Sequence, residues 1–219
     1  MASDEGPEGL WQRARDRQVV ILCLVRHGQT SWNASRRFLG RTDIGLDEVG
    51  RAQALAFARA LPEPFAQVYA SPLSRAQQTA RFLGVEVHEA PELIELHQGD
   101  LEGLDGPQAF ARYATFFQRW AADPEHVVVP GGESLGQLRD RALRGVRRIA
   151  STHRPGQVIG LFTHQMVIAA LTCVALDEPL TTWRSHRVEN TQLTAFELHQ
   201  DRLHLLVHGQ SLTPVAEHA

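Results

Sequence analysis

The chain has 219 residues, 43% hydrophobic and 21% charged, a balance typical of globular domains, and its length suits one domain with a substantial core better than two small ones. Its formal charge of −3 argues against a general nucleic-acid binder, which would carry a net basic surface. No apolar run approaches the roughly 20 residues needed to span a bilayer, so neither a nucleic acid nor a membrane is expected as a partner.

The opening MASDEGPEGLWQRARDRQ has no short apolar core followed by a small-residue cleavage site, so it does not read as a secretory leader. Residues 1 to 17 read as a polar, mobile extension, 18 to 210 as a single domain, and 211 to 219 as a tail. Cys23 and Cys173 both sit in apolar runs, where a free cysteine serves as a small buried hydrophobe; a reducing, cytoplasmic setting is expected.

VVILCLV, ending at Val25, has the continuous apolar character of a strand covered on both faces. LDEVGRAQALAFARAL follows with Asp47 placed as an N-cap and Val49, Ala52, Leu55, Ala56 and Leu61 near helical spacing. In AQVYASPLSRAQQTARFLG a short strand ends near Ala70, with Ser71 expected as N-cap, Pro72 at the first helical position and Gly84 as the stop. VEVHEA reads as another strand, residues 93 to 105 as loop, and PQAFARYATFFQRWAADP as a helix inside an insertion of about 103 to 129 that VVVPGGES closes.

Further on, Leu135, Leu138, Ala142, Val146 and Ile149 form one apolar stripe, with the arginines of that helix mostly facing solvent. QVIGLFTH is a buried strand running into His164, QMVIAALTCVAL is helical, and TQLTAFEL with RLHLLVHG reads as a hairpin. The alternation predicts an α/β fold, a three-layer sandwich with a mainly parallel sheet and helices on both faces, in which ligands gather beyond the carboxyl ends of strands.

Three polar clusters fall at those ends: Arg26-His27-Gly28, Ser71 to Arg75, and His164. A lone arginine at a helix start is ordinarily a solvated charge, and a lone histidine after a strand a structural hydrogen-bonder. Two arginines and two histidines converging on one rim need a common ligand, and a dianionic phosphate supplies it, because guanidinium groups bind phosphate oxygens bidentately and keep their charge. Gly28 would let the backbone approach, and the helix starting near Ser71 would offer N–H donors. A neutral imidazole can attack phosphorus. The departing alcohol then needs a proton, for which ELIELHQGDLEG offers Glu92, Glu95 and Glu102; a carboxyl near phosphate oxygens has a raised pKa.

These residues resemble the histidine phosphatase superfamily, in its phosphoglycerate mutase-like branch, from about Val19 to Glu197. LVRHGQTSWN, RFLGRTDIGLDEVGRAQA, YASPLSRAQQTA, LIELHQGDLEG, PGGES, FTH and ENTQLTAFEL are similar to the family's blocks and occur in its order. The resemblance implies that His27 is the nucleophile forming a phosphohistidine, that Arg26, Arg75 and His164 hold the phosphoryl oxygens, and that Glu95 is the proton donor. It also implies that Asn33 hydrogen-bonds the phosphate and that Thr30 and Gly40 line the pocket. No cofactor or metal is expected; His204 and His208 could share a strand face but lack an acidic or cysteine partner.

The chain departs from the pattern at Gln165, where glycine is usual after the second histidine, at Gln98, where an aromatic is common, and at Leu101, where tryptophan is common. Gln98 and Gln165 are taken as substrate-binding. The insertion is expected to cap the pocket, with Arg112 and Arg119 as candidates for a second anionic group. The expected function is a phosphomonoester phosphatase acting on a small phosphorylated metabolite. The alternatives are a cofactor-dependent mutase that returns the phosphoryl group to a second acceptor and a non-catalytic phosphate binder. A homo-oligomer is compatible with the sequence.

Overall fold

Six strands build one sheet: β1 (Val20–Arg26), β2 (Gln67–Ala70), β3 (Val87–Glu89), β4 (Val158–Thr163), β5 (Leu193–His199) and β6 (Arg202–Gln210). Their order is β3-β2-β4-β1-β5-β6, parallel from β3 to β1 and antiparallel through β5 and β6. The computed structural model describes residues 6–199 and 202–212. Residues 1 to 5 of the expected extension and 213 to 219 of the expected tail lie outside the described residues.

Alternation along the central strands feeds two cores. Ile21, Cys23, Val25 and Phe162 point to one face, where they meet α1 (Leu10–Arg17), α3 (Glu48–Ala60) and α4 (Ser74–Arg81) through Trp11, Phe57 and Ala80. Leu22, Leu24, Ile159 and Leu161 point to the other, where α6 (Leu135–Ser151) and α7 (Gln165–Ala175) cover them. Two short excursions complete the fold: α2 (Ser31–Ala34) after β1, and α5 (Gly106–Ala122), bent at Tyr113, in the insertion. Both cysteines are free and buried.

Helix α6 forms as its periodicity requires: Leu135, Leu138, Ala142, Val146 and Ile149 are all fully buried, each larger side chain contributing roughly 1.5–3 kcal/mol by leaving water. Ser134 and Gln137 close a reciprocal capping box, the Ser134 Oγ accepting from the Gln137 N–H at 3.1 Å and the Gln137 Oε1 from the Ser134 N–H at 2.8 Å.

Two expectations are corrected here. Residues 10 to 17 are no free extension: α1 buries Leu10, Trp11 and Ala14, and the Trp11 indole N–H donates to the Pro64 carbonyl at 3.1 Å while its ring stacks on Phe65. In α3, Asp47 does cap the helix, accepting from the Gly50 N–H at 2.7 Å, but the buried face is Gly50, Ala54 and Phe57, leaving Val49 and Leu55 51% and 37% exposed. A close crossing sets this phase, because a Cβ on Gly28 would stand 2.5 Å from the Gly50 carbonyl oxygen. Gly28 is therefore needed for this helix contact rather than for room at a ligand.

Candidate active site

Because β2, β4 and β1 are neighbours in register, with Arg26 opposite Thr163 and Ala70 opposite Phe162, the residues that follow emerge side by side at one carboxyl edge. The His27 N–H donates to the Thr163 carbonyl (3.0 Å) and the Ser71 N–H to the Phe162 carbonyl (2.9 Å). The rings of His27 and His164 lie 5.2 Å apart.

His27 is buried, with Nδ1 2.7 Å from the Gly28 carbonyl oxygen. A carbonyl only accepts, so the ring proton sits on Nδ1 and the lone pair on Nε2. Burial, then the charges of Arg75 and Arg26, hold its pKa well below the ordinary histidine value, keeping the ring neutral. His164 is likewise pushed well down by burial and Arg75; its Nε2 stands 2.7 Å from the Ser71 Oγ.

Arg75 is fully buried and donates to the carbonyls of Gly40 (2.7 Å) and Thr42 (3.1 Å). Burial lowers its pKa to about 10, which leaves it cationic at neutral pH. Arg26 donates through Nη1 to the Val188 carbonyl at 2.7 Å. Around His27, three buried nitrogens have no partner among the described residues: Arg26 Nε, Arg75 Nε and His164 Nδ1. Buried donors left unsatisfied cost roughly 1–3 kcal/mol each, so their clustering marks a place built for an acceptor-rich anion.

Of the three candidate acids, only Glu95 reaches the cavity. Its carboxylate accepts from the N–H groups of Leu96 (2.7 Å) and Met166 (3.4 Å), and burial nevertheless raises its pKa. Glu92 is consumed in an ion pair with Arg148 at 2.8 Å, and Glu102 ties down the preceding loop, accepting from Arg41 N–H, Thr42 N–H and the Thr42 hydroxyl. Arg141 holds the acid loop from behind: it donates to the carbonyls of Glu92 (2.8 Å) and Glu95 (2.9 Å) and pairs with Glu133, whose carboxylate accepts from His97 N–H. A Cβ on Gly132 would collide with the His97 carbonyl oxygen, so the PGGES stretch is a clamp on that loop.

A cavity of about 800 Å³ opens over this floor. Arg26, His27 and Glu95 line it, together with Gln29, Asn33, Gln98, Gln165, Met166, Trp183 and residues 36 to 39 and 187 to 190, of which Arg36, Arg37, Arg187 and Glu189 are exposed and stand at the mouth. Asn33, Gln98 and Gln165 thus stand where a ligand would meet them. Thr30 and Gly40 do not line the cavity. Thr30 donates through its N–H and Oγ1 to the Asn33 Oδ1 (3.1 and 3.0 Å), fixing Asn33, and Gly40 supplies the carbonyl that holds Arg75. Arg75 and His164 sit behind the lining residues.

Three further expectations change. Helix α4 starts at Ser74, not near Ser71, because Asp43 takes both the Ser74 N–H and its hydroxyl at 2.7 Å; its first turn is thereby occupied, and Ser71 serves His164 instead. No residue of 103 to 129 lines the cavity, so neither Arg112 nor Arg119 faces it. The insertion aromatics pack on one another, Phe110 on Phe117 and Phe116 on Trp120, and Phe117 reaches the cavity only indirectly, as backing for Phe38 at 5.9 Å between ring centroids. Sequence reading missed Arg36, Arg37, Trp183, Arg187 and Glu189, whose visible traces are SRRF and WRSHRVEN; it also missed Asn190, whose amide donates to the His27 carbonyl at 2.8 Å.

Residues 22–211 match the histidine phosphatase superfamily (branch 1). A metal-independent phosphoserine phosphatase of Arabidopsis thaliana is 36% identical over 162 residues, covering 70% of this chain and 68% of the relative. A 2,3-bisphosphoglycerate-dependent phosphoglycerate mutase of Gloeobacter violaceus is 40% identical over 138 residues, 59% of this chain and 61% of its own. The solved mycobacterial glucosyl-3-phosphoglycerate phosphatase in complex with VO3 superposes with a TM-score of 0.78 at 31% identity, covering 87% of this chain and 99% of that one. With a match spanning nearly all of the described fold, the chain belongs to the histidine phosphatase superfamily, branch 1.

Proposed function

We propose that the protein is a phosphomonoester phosphatase that works through a phosphohistidine on His27. The observation that carries this reading is the neutral His27 ring, its lone pair on Nε2, set among three buried side-chain nitrogens, two of arginine and one of histidine, that have no partner among the described residues. Nε2 attacks phosphorus in line, the P–O bond to the alcohol breaks, and Glu95, whose pKa burial raises, gives its proton to the departing oxygen. Arg26 and Arg75 meet the charge on the equatorial oxygens. The Ser71 hydroxyl, 2.7 Å from His164 Nε2, fixes the ring, and in the tautomer where it donates to Nε2, His164 offers its Nδ1 proton to the phosphoryl group. Water then attacks phosphorus, the P–N bond breaks, and Glu95 takes up the water's proton.

A mutase differs only in the second acceptor, and relatives of both kinds exist. What favours water is that the 103 to 129 segment, which would have to cover a second acceptor, contributes no lining residue. The test is a panel of phosphoserine, 3-phosphoglycerate, glucosyl-3-phosphoglycerate and simple alkyl phosphates, assayed for inorganic phosphate. Release from at least one ester faster than 3-phosphoglycerate is isomerised is expected; isomerisation far ahead of every hydrolysis would contradict it.

A further inference from the structure

Arg75 is aimed by backbone. Its two terminal nitrogens donate to main-chain carbonyls, Nη2 to Gly40 at 2.7 Å and Nη1 to Thr42 at 3.1 Å, which leaves the buried Nε without a partner among the described residues. Residues 40 to 42 belong to no helix or strand, so whatever fastens that loop decides where the guanidinium points. Glu102 fastens it. Its Oε1 accepts from the Arg41 N–H at 2.8 Å, and its Oε2 accepts from the Thr42 N–H at 2.7 Å and from the Thr42 hydroxyl. A Cβ on Gly40 would collide with this carboxylate, so the two lie against each other. Burial works to raise the Glu102 pKa, yet the Thr42 hydroxyl and the N–H groups of Arg41, Thr42 and Gln98 outweigh it and hold the carboxyl below its ordinary value.

The Gly40 carbonyl and the Arg41 N–H are the two ends of one planar trans peptide and point in opposite directions. That peptide therefore carries the Glu102 carboxylate on its donor end and the Arg75 guanidinium on its acceptor end, and each bond polarises the group for the other. The second anchor, the Thr42 carbonyl, belongs to the residue whose N–H and hydroxyl Glu102 also takes. Three carboxylates act on the charge of Arg75: Glu95, Asp43 and Glu102. Glu95 is the proton donor, and Asp43 gives its oxygens to the Ser74 N–H and hydroxyl, each at 2.7 Å. Of the three, Glu102 reaches the guanidinium through the guanidinium's own anchors. It also accepts from the Gln98 N–H at 3.3 Å, but Glu95 is held without it, by Arg141 at its carbonyl and by the Leu96 and Met166 N–H groups at its carboxylate.

We infer that Glu102 is a positioning residue for phosphoryl transfer, orienting the Arg75 guanidinium on the phosphoryl oxygens through the backbone of residues 40 to 42. This rests on the phosphatase reading, which puts those oxygens at Arg75. Glu102→Gln keeps the side chain's size but has one acceptor oxygen, so its amide N–H2 meets one of the two loop N–H groups and the clasp opens. The experiment is a double-mutant cycle with Arg75→Met, read as kcat on an alkyl phosphate and on p-nitrophenyl phosphate. With Arg75 in place, Glu102→Gln lowers kcat about tenfold, by the same factor on both esters, since it leaves the proton donor alone. In the Arg75→Met protein the same substitution costs under about twofold. Thr42→Val, which removes only the hydroxyl from the clasp, repeats the pattern at about threefold and decides the matter alone if Glu102→Gln does not fold. An unchanged kcat, a loss of equal size in the Arg75→Met protein, or a loss confined to the alkyl ester overturns the inference. Calorimetric binding of inorganic phosphate separates it from the phosphatase reading, because it needs no turnover: Glu102→Gln weakens that binding about fivefold, and an unchanged affinity overturns the inference even in a protein that hydrolyses no ester. Failure of the unsubstituted protein to release phosphate from any ester overturns the phosphatase reading instead.

Discussion

At the buried end of the cavity every functional side chain is fastened from behind. Asn190 holds the His27 carbonyl, Ser71 the His164 ring, Gly40 and Thr42 the Arg75 guanidinium, and Arg141 the Glu95 loop. At the mouth, Arg36 and Arg187 are exposed and come from loops after α2 and before β5. The contrast separates two tasks. Phosphoryl transfer needs groups held to within a fraction of an ångström, which strand ends and bracing hydrogen bonds provide, whereas the choice of alcohol can be left to loop residues that change without disturbing the chemistry.

The widest gap between the two ends is expected at His27. His27→Ala lowers kcat by about 10⁴-fold or more, with the circular-dichroism spectrum unchanged; a mouth substitution such as Arg187→Gln that cost kcat as much would erase the distinction. Glu95→Gln comes next, with a loss of about 10²–10⁴-fold on alkyl esters and a smaller one on p-nitrophenyl phosphate, whose leaving group needs no proton. Since burial raises the Glu95 pKa above its ordinary value, kcat/KM for alkyl esters falls as pH rises through that raised pKa, and the Gln variant lacks this limb. The same shift has a stability sign: the neutral carboxyl is the form the fold prefers, so its contribution is complete below the unfolded value and is lost as pH rises through the folded one. Glu95→Gln therefore melts higher than the unsubstituted protein at neutral pH.

A smaller effect belongs to Ser71→Ala, which frees the His164 ring: kcat falls about tenfold, equivalent to one hydrogen bond to a charged transition state, with KM nearly unchanged. Trp11→Ala is expected to cost about 3–5 kcal/mol of stability, read by denaturant titration, while kcat of the folded protein stays as it was. An activity loss there would mean that α1 reaches the site rather than bracing the sheet behind it.

The buried end was legible because several of its residues directly follow strands that are marked by their own local apolar runs. Arg26 and His27 end a strand whose apolar run is unmistakable, and His164 ends another. Glu95 was not separable from Glu92 and Glu102 by residue type; only the bonds that occupy the other two, to Arg148 and to the Arg41–Thr42 backbone, separate them. Helix α1 was illegible for want of length, since two turns with three apolar residues carry little periodicity. The phase of α3 was hidden because two glycines, Gly28 and Gly50, set it by close approach, a contact that leaves no apolar signal. The start of α4 depended on Asp43, a loop residue remote in sequence. The mouth shares that difficulty: Arg36 and Arg187 become neighbours of one cavity only after the sheet has assembled.

Phosphorylation of His27 is tested most directly by rapid-quench mass spectrometry of the Glu95→Gln protein with p-nitrophenyl phosphate. This substrate phosphorylates the enzyme without a donated proton, and loss of the base slows the water step, so the adduct accumulates; the quench is kept alkaline because the P–N bond of phosphohistidine is acid-labile. A phosphoryl adduct on the peptide carrying His27, formed as fast as p-nitrophenol appears and absent from the His27→Ala protein, is the expected result. Release of p-nitrophenol and phosphate without any adduct, or an adduct that survives His27→Ala, would contradict the mechanism.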